Sequence, residues 1–104
     1  MPGACVFVGD FNAPPHEPAY EAIASAGFVS AHAAVHGSEP ERTFPTGLQA
    51  PTMDTDPPLT TDYIWLAGGL APFSCELAAT AHAVEDPTLV PSDHFALVAN
   101  ADWK

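Results

Sequence analysis

VFVGDFNAPP, residues 6–15, joins an apolar, β-branched run to a carboxylate, an amide and two prolines. The run over residues 4–10 is continuously apolar up to Gly9, which reads as a strand buried on both faces. NAPPHEP cannot continue it, because proline supplies no N–H to a ladder, so a loop is expected. Why such a strand should end on Asp10 and Asn12 is the question that decides the reading. Side chains alternate along a strand, so the two share one side if extended geometry continues past Gly9, with Phe11 turned to the core. A carboxylate there can orient or deprotonate a water, and the amide can donate to an oxygen gaining charge. Asp-x-Asn at a strand end is also an ordinary turn, and four residues alone favour that plainer reading.

Outward from this stretch, AYEAIASAG puts Tyr20, Ile23 and Ala24 on one helical face, with Gly27 placed to end the helix. The signal weakens between residues 28 and 59, and LQAPTMDTDPP reads as a long surface loop. TDYIWLAGG resumes strand character, with Gly68-Gly69 as a turn. APFSCELAATAHA reads as a strand pairing back, although its alanines also permit helix. HFALVANA closes the pattern as another apolar strand. A helix between strands, followed by consecutive strands, predicts an α/β domain built on a mixed sheet.

The sequence has 104 residues, enough for one small domain, and 47% of them are apolar. Two basic residues stand against thirteen acids, a net charge of −11. Such a chain alone is poorly suited to nucleic acid, whose affinity comes largely from Lys and Arg on phosphates. A divalent cation is the more natural partner, although acids serve solubility equally well. Cys5 and Cys75 show no spacing pattern and read as buried thiols. No charged-then-apolar leader and no bilayer-length apolar run are present, which favours a cytoplasmic protein.

Two further stretches bear on the chemistry. Asp62 heads an apolar strand in TTDYIWL, where a carboxylate is costly unless paired. In PSDHFALV, Asp93 and His94 are adjacent just before the last strand. A buried Asp bonded to a His fixes the imidazole tautomer and favours its protonated form. If Asp62 holds His94, Asp93 points away and can face a metal; the plainer alternative is that Asp93 caps a turn. His32 and His36, four apart, could bind zinc on a helix, but no third ligand accompanies them, and they read as helix-face histidines. Asp54 and Asp56 read as turn formers, and His16 as a solvated loop residue. Arg42 could contact a phosphate or pair with Glu39 or Glu41.

GDFN at 9–12, DYI at 62–64 and SDH at 92–94 follow one another at strand edges, with RTFP at 42–45 between the first two. Together they resemble the last three motifs of the endonuclease/exonuclease/phosphatase superfamily, in that family's order. The resemblance implies that Asp10 orients or activates the attacking water and that Asn12 binds the scissile phosphoryl group. It implies that Asp62 pairs with His94, which contacts the phosphate as a cation or proton donor. Asp93 would sit at or near a Mg2+ site, with Mn2+ as the alternative ion. Thr61 stands where the family often has a basic or apolar residue.

Only MPGACVF precedes GDFN, whereas the family carries a first half with an Asn, a metal-binding Glu and a phosphate contact. Residues 1–104 are therefore expected to form a partial domain, one half of a four-layer α/β sandwich, with one sheet face uncovered. The implied activity is Mg2+-dependent hydrolysis of a phosphodiester or phosphomonoester. The low basic content tilts the expected substrate toward a phosphorylated small molecule or lipid headgroup and away from nucleic acid. The alternative is a non-catalytic remnant or interaction module that dimerises or docks on a separate partner through the open face; in a third reading a neighbouring chain, a complementing N-terminal half, restores a split enzyme.

Overall fold

A computed structural model describes residues 3–48 and 57–104. Asp54, Asp56 and most of the LQAPTMDTDPP loop lie outside them. The elements run β1 (Ala4–Asp10), α1 (Pro18–Ser25), β2 (Val29–Ser30), α2 (Ala31–His36), β3 (Asp62–Gly68), β4 (Leu70–Ala78) and β5 (Ala96–Trp103). They form a small α/β domain with two sheets, one ordered β1-β3-β2 and the other pairing β4 with β5. Both sheets are antiparallel throughout, where a mixed sheet was expected. No helix among the described residues is long and apolar enough to cross a membrane.

The helix predicted from AYEAIASAG is α1. Pro18 at its first turn has no N–H to leave unpaired, and the N–H of Gly27 closes on the Ala24 carbonyl at 3.1 Å with φ +100°. Its Tyr20 packs edge-on against Tyr63 and Trp65, with ring centroids 5.5 and 5.0 Å away. This layer covers one face of β3. Helix α2 escaped the sequence reading because a six-residue, alanine-rich segment carries almost no periodicity. It ends at Gly37 in the left-handed region and packs Ala31 and Val35 against Leu66 and Cys75.

Two strand expectations need correction. β1 is not buried on both faces: among the described residues it is an edge strand paired only with β3, and Val6, Phe7 and Val8 are 57, 46 and 57% exposed. The apolar run does not alternate, so it could not say which face would be left open. β4 does not pair back on β3 but on β5. A single residue, Gly69, separates β3 from β4, too short for the two-residue turn a hairpin needs. The chain instead bends at Gly68, φ +81°, and passes to the second sheet.

The core lies between the sheets, where Leu66 and Cys75 meet Ile64, Leu97, Ala99 and Ala101. β5 alternates as a half-buried strand should: Leu97, Ala99 and Ala101 point in, Ala96, Val98 and Asn100 out. Both cysteines are free thiols; Cys75 is fully buried as expected, whereas Cys5, on the edge strand, is only half-buried. Burial raises the Cys75 thiol above its ordinary pKa, with Glu39 and Glu76 adding to the effect.

Candidate active site

The β1–β3 register sets Val8 opposite Ile64 and Asp10 opposite Asp62, so the last pair of the ladder is two carboxylates. Phe11 extends the pairing by one bond, its N–H donating to the Thr61 carbonyl at 2.8 Å. The extended geometry then stops. Asn12 turns into the left-handed region at φ +51°, and its N–H donates to Asp10 Oδ1 at 2.8 Å. The turn and the presented carboxylate are therefore one structure, in which Asp10 caps its own strand end and still faces out. Phe11 stacks edge-on with Phe7 at 4.7 Å and is half-buried. Behind it, the buried Tyr63 hydroxyl reaches the carbonyls of Ala13 and Thr60 at 2.8 and 2.9 Å, fastening the turn to β3.

Asp62 is held by three donors on one oxygen. Oδ2 accepts from the Thr43 hydroxyl at 2.6 Å, the Thr61 hydroxyl at 3.1 Å and His94 Nδ1 at 2.8 Å. The last bond assigns the His94 proton to Nδ1 in the neutral ring, leaving Nε2 turned toward Asp10 Oδ2 at 3.8 Å. Partial burial works against charging this ring. The hydrogen bond and charge of Asp62, then the charges of Asp10 and Asp93, outweigh it, so the His94 pKa is raised. Exposure grades outward: the side chains of Asp62, His94 and Asp10 are 17, 28 and 48% accessible. Asp62 is thus an inner support, and Asp10 is the group that can meet solvent.

The 43–46 segment completes the support. The Thr43 carbonyl accepts the Phe95 N–H at 2.8 Å, and the Thr46 N–H donates to the Asp93 carbonyl at 3.1 Å. The Thr46 hydroxyl donates to the Ser92 carbonyl at 2.5 Å, and the Phe44 ring lies 4.6 Å from the imidazole. A cleft of about 210 Å³, lined by Val8, Asp10, Asp62, Ile64, Phe95 and Leu97 among others, opens between the sheets at these residues.

The ligand atoms of Asp10, Asp62 and His94 lie within 4.8 Å of one another, close enough to hold a metal ion. Asp62 Oδ2 already faces three donors, which leaves Asp10 Oδ2 as the exposed oxygen of the set. An oxygen donor beside open solvent fits a hard divalent cation that keeps several waters. Asp93 is half-buried and does not join this cluster; its Oδ1 lies 3.5 Å from the Ser92 hydroxyl.

The lesser candidates sit elsewhere. His32 and His36 do share a face of α2, their rings 4.4 Å apart, but His32 Nδ1 meets the Ser38 carbonyl, and His36 Nε2 meets the Cys75 carbonyl at 2.6 Å and Glu76 Oε1 at 3.4 Å. His16 is exposed beside Glu17. Arg42 lies over the Phe95 ring at 5.5 Å, while Glu39 accepts from the Tyr20 and Ser30 hydroxyls. Sequence reasoning passed over Thr43 and named Thr61 only as a departure. A threonine in RTFP gives no sign that its hydroxyl is fully buried against a carboxylate nineteen residues on.

A family model described as Endonuclease/Exonuclease/phosphatase family matches residues 1–94, a span that ends on His94 and takes in all three motifs. Among solved structures, the endonuclease/exonuclease/phosphatase from Bacteroides vulgatus shares the fold with a TM-score of 0.71 and 24% identity. The alignment covers 97% of this chain and 37% of that one, so this chain spans well under half the length of its structural neighbour. No curated protein is matched. The family generally carries out metal-dependent phosphoester hydrolysis. With three motifs converging on one strand end and a family match over most of its length, this chain belongs to the endonuclease/exonuclease/phosphatase family.

Proposed function

We propose that this chain carries the water-activating half of a divalent-metal phosphoester hydrolase. The observation that carries the proposal is the Asp62–His94–Asp10 arrangement: one carboxylate fixes the imidazole at 2.8 Å while the other stands exposed 3.8 Å from its free nitrogen. Asp10 orients the attacking water and draws off its proton. His94, kept protonated by its acidic neighbours, donates through Nε2 to a phosphoryl oxygen as charge builds there. Asn12, exposed on the turn, binds the same phosphoryl group through its amide. Asp10, the exposed oxygen of the Asp10–Asp62–His94 cluster, would hold the Mg2+ or Mn2+ ion, which when bound would supply positive charge to the phosphoryl oxygens. A phosphorylated small molecule or lipid headgroup suits the site better than nucleic acid, because two basic residues in 104 leave few phosphate contacts.

The apolar face around Val6 and Val8 supports a further element of the proposal: a complementing half-domain of the same fold covers it. The structural neighbour has far more chain than this one, and β1 has an edge that is unpaired among the described residues and uncharged from Ala4 to Gly9. A second copy fits less well, since each copy brings a net charge of −11.

The test is phosphatase and phosphodiesterase activity with Mg2+, for this chain alone and mixed with a complementing half. Hydrolysis lost in Asp10→Ala and in His94→Ala is expected. Activity of the chain that survives both substitutions overturns the site assignment. Light scattering tests the covering: a well-behaved monomer with no response to the complementing half, or a stable homodimer, overturns that part.

A further inference from the structure

We propose that Thr43 is the positioning residue of the site, the group that sets the Asp62 oxygen and through it the His94 tautomer. Three observations carry this. The Thr43 side chain is fully buried, at 0% exposure, although nothing apolar requires a hydroxyl there. That hydroxyl is used in both directions: it donates to Asp62 Oδ2 at 2.6 Å and accepts the Thr61 N–H at 3.0 Å. A hydroxyl has one proton, and the backbone N–H can only donate, so the Thr43 proton is committed to Asp62. The bond is the shortest of the three on that oxygen, and it comes from a distant segment of chain.

The backbone of the same residue acts on the other partner. Its N–H donates to the Leu59 carbonyl and its carbonyl accepts from Phe95, both at 2.8 Å. Thr43 is thereby tied to the entrance of β3, where Asp62 begins, and to the residue after His94. One residue fixes the distance between the carboxylate and the imidazole that must meet. Thr61 cannot substitute for it, since the Thr61 hydroxyl is adjacent to Asp62 in sequence and reaches Oδ2 only at 3.1 Å. The hydrogen bonds of Thr43 go to Asp62, Thr61, Leu59 and Phe95, so it acts on His94 through Asp62 and is a positioning residue.

The inference deepens the proposed function, but its first test needs no activity. Nitrogen-15 NMR of His94, at a pH where the ring is neutral, reports which nitrogen bears the proton. The wild type and Thr43→Ser are expected to hold it on Nδ1, whereas Thr43→Val shifts the ring to a mixture of tautomers. If Thr43→Val does not fold, Thr43→Cys, with its weak donor, takes its place. In the complemented enzyme, Thr43→Val is expected to lower kcat about tenfold with KM nearly unchanged, and Thr43→Ser to restore it. A Thr43→Val or Thr43→Cys protein whose His94 keeps the wild-type Nδ1 proton overturns the inference. Tautomer loss in a chain whose wild type hydrolyses no phosphoester upholds it and overturns the hydrolase reading instead.

Discussion

Asp10 and Asp62 stand directly across from each other at the end of the β1–β3 ladder, two acids where a sheet ordinarily avoids like charges. His94 faces both, at 3.8 and 2.8 Å, and Asp62 has its hydroxyl donors besides. Asp10 has one backbone N–H and solvent. The repulsion therefore falls on the outer acid, which is the proposed base.

Asp10→Asn should stabilise the fold while removing the proposed base. The Asn carbonyl can still accept the Asn12 N–H, so the turn survives. Relief of a like-charge cross-strand pair is worth about 0.2–1 kcal/mol. A denaturant titration checks this: the midpoint should rise with no change in slope, and hydrolysis should fall by two orders of magnitude or more, as for loss of a general base.

The pH dependence follows from His94. Its pKa is raised in the fold, so its stabilising interaction is fully present below the ordinary value of 6.5 and is lost as pH rises through the higher folded value. Stability should decline across that interval, and the hydrolysis that uses the charged ring should decline with it. Asp62→Asn removes the main cause that raises the pKa and should move the decline to lower pH. Melting curves and rates taken across pH 6–9 would check both, and coincident profiles for wild type and Asp62→Asn would refute the argument.

The candidate site's outline was legible through the resemblance of GDFN, DYI and SDH, in that order, to the family's motifs; each stretch alone reads equally well as a turn or a capped strand end. The supports were not legible. Thr43 and Phe44 act across the fold from a segment with no periodicity, and hydroxyls in RTFP and LTTD resemble any turn. The fold was readable where side chains alternate, as in β5, or where a helix has a clear face, as in α1. It was misread where apolar runs are continuous: β1 looked doubly buried because nothing in ACVFVGD marks an open face. β4 looked like a hairpin partner because Gly-Gly marks a bend without saying which sheet the chain enters.

Tyr63→Phe should loosen the turn that carries Asp10 and Asn12. The hydroxyl is buried between two carbonyls of different segments, Ala13 and Thr60. Removing it leaves buried acceptors short of a donor, at a cost of about 1–3 kcal/mol. Burial and the Glu39 charge also push the Tyr63 pKa well above the ordinary phenol range, so the proton stays in place at any working pH. Thermal melting should register the loss. Rates should fall more than for a surface change, because the turn rather than the sheet is released.

Gly68→Ala is the sharpest test of how the chain passes between sheets. Gly68 has φ +81°, a conformation that carries a penalty for any residue with a Cβ. A Cβ there would also lie 1.9 Å from the Gly3 carbonyl oxygen, which accepts the Gly69 N–H at 3.0 Å. Backbone cannot yield as a flexible side chain can, so the Gly3–Gly69 bond must break. The combined cost should exceed the ~1–3 kcal/mol typical of a strained residue alone. Gly69→Ala is the control, since its Cβ would meet only the Trp103 ring at 3.5 Å and its φ is not left-handed. Gly68→Ala should melt well below Gly69→Ala, and equal melting would mean that the sheet-to-sheet bend is not held at Gly68.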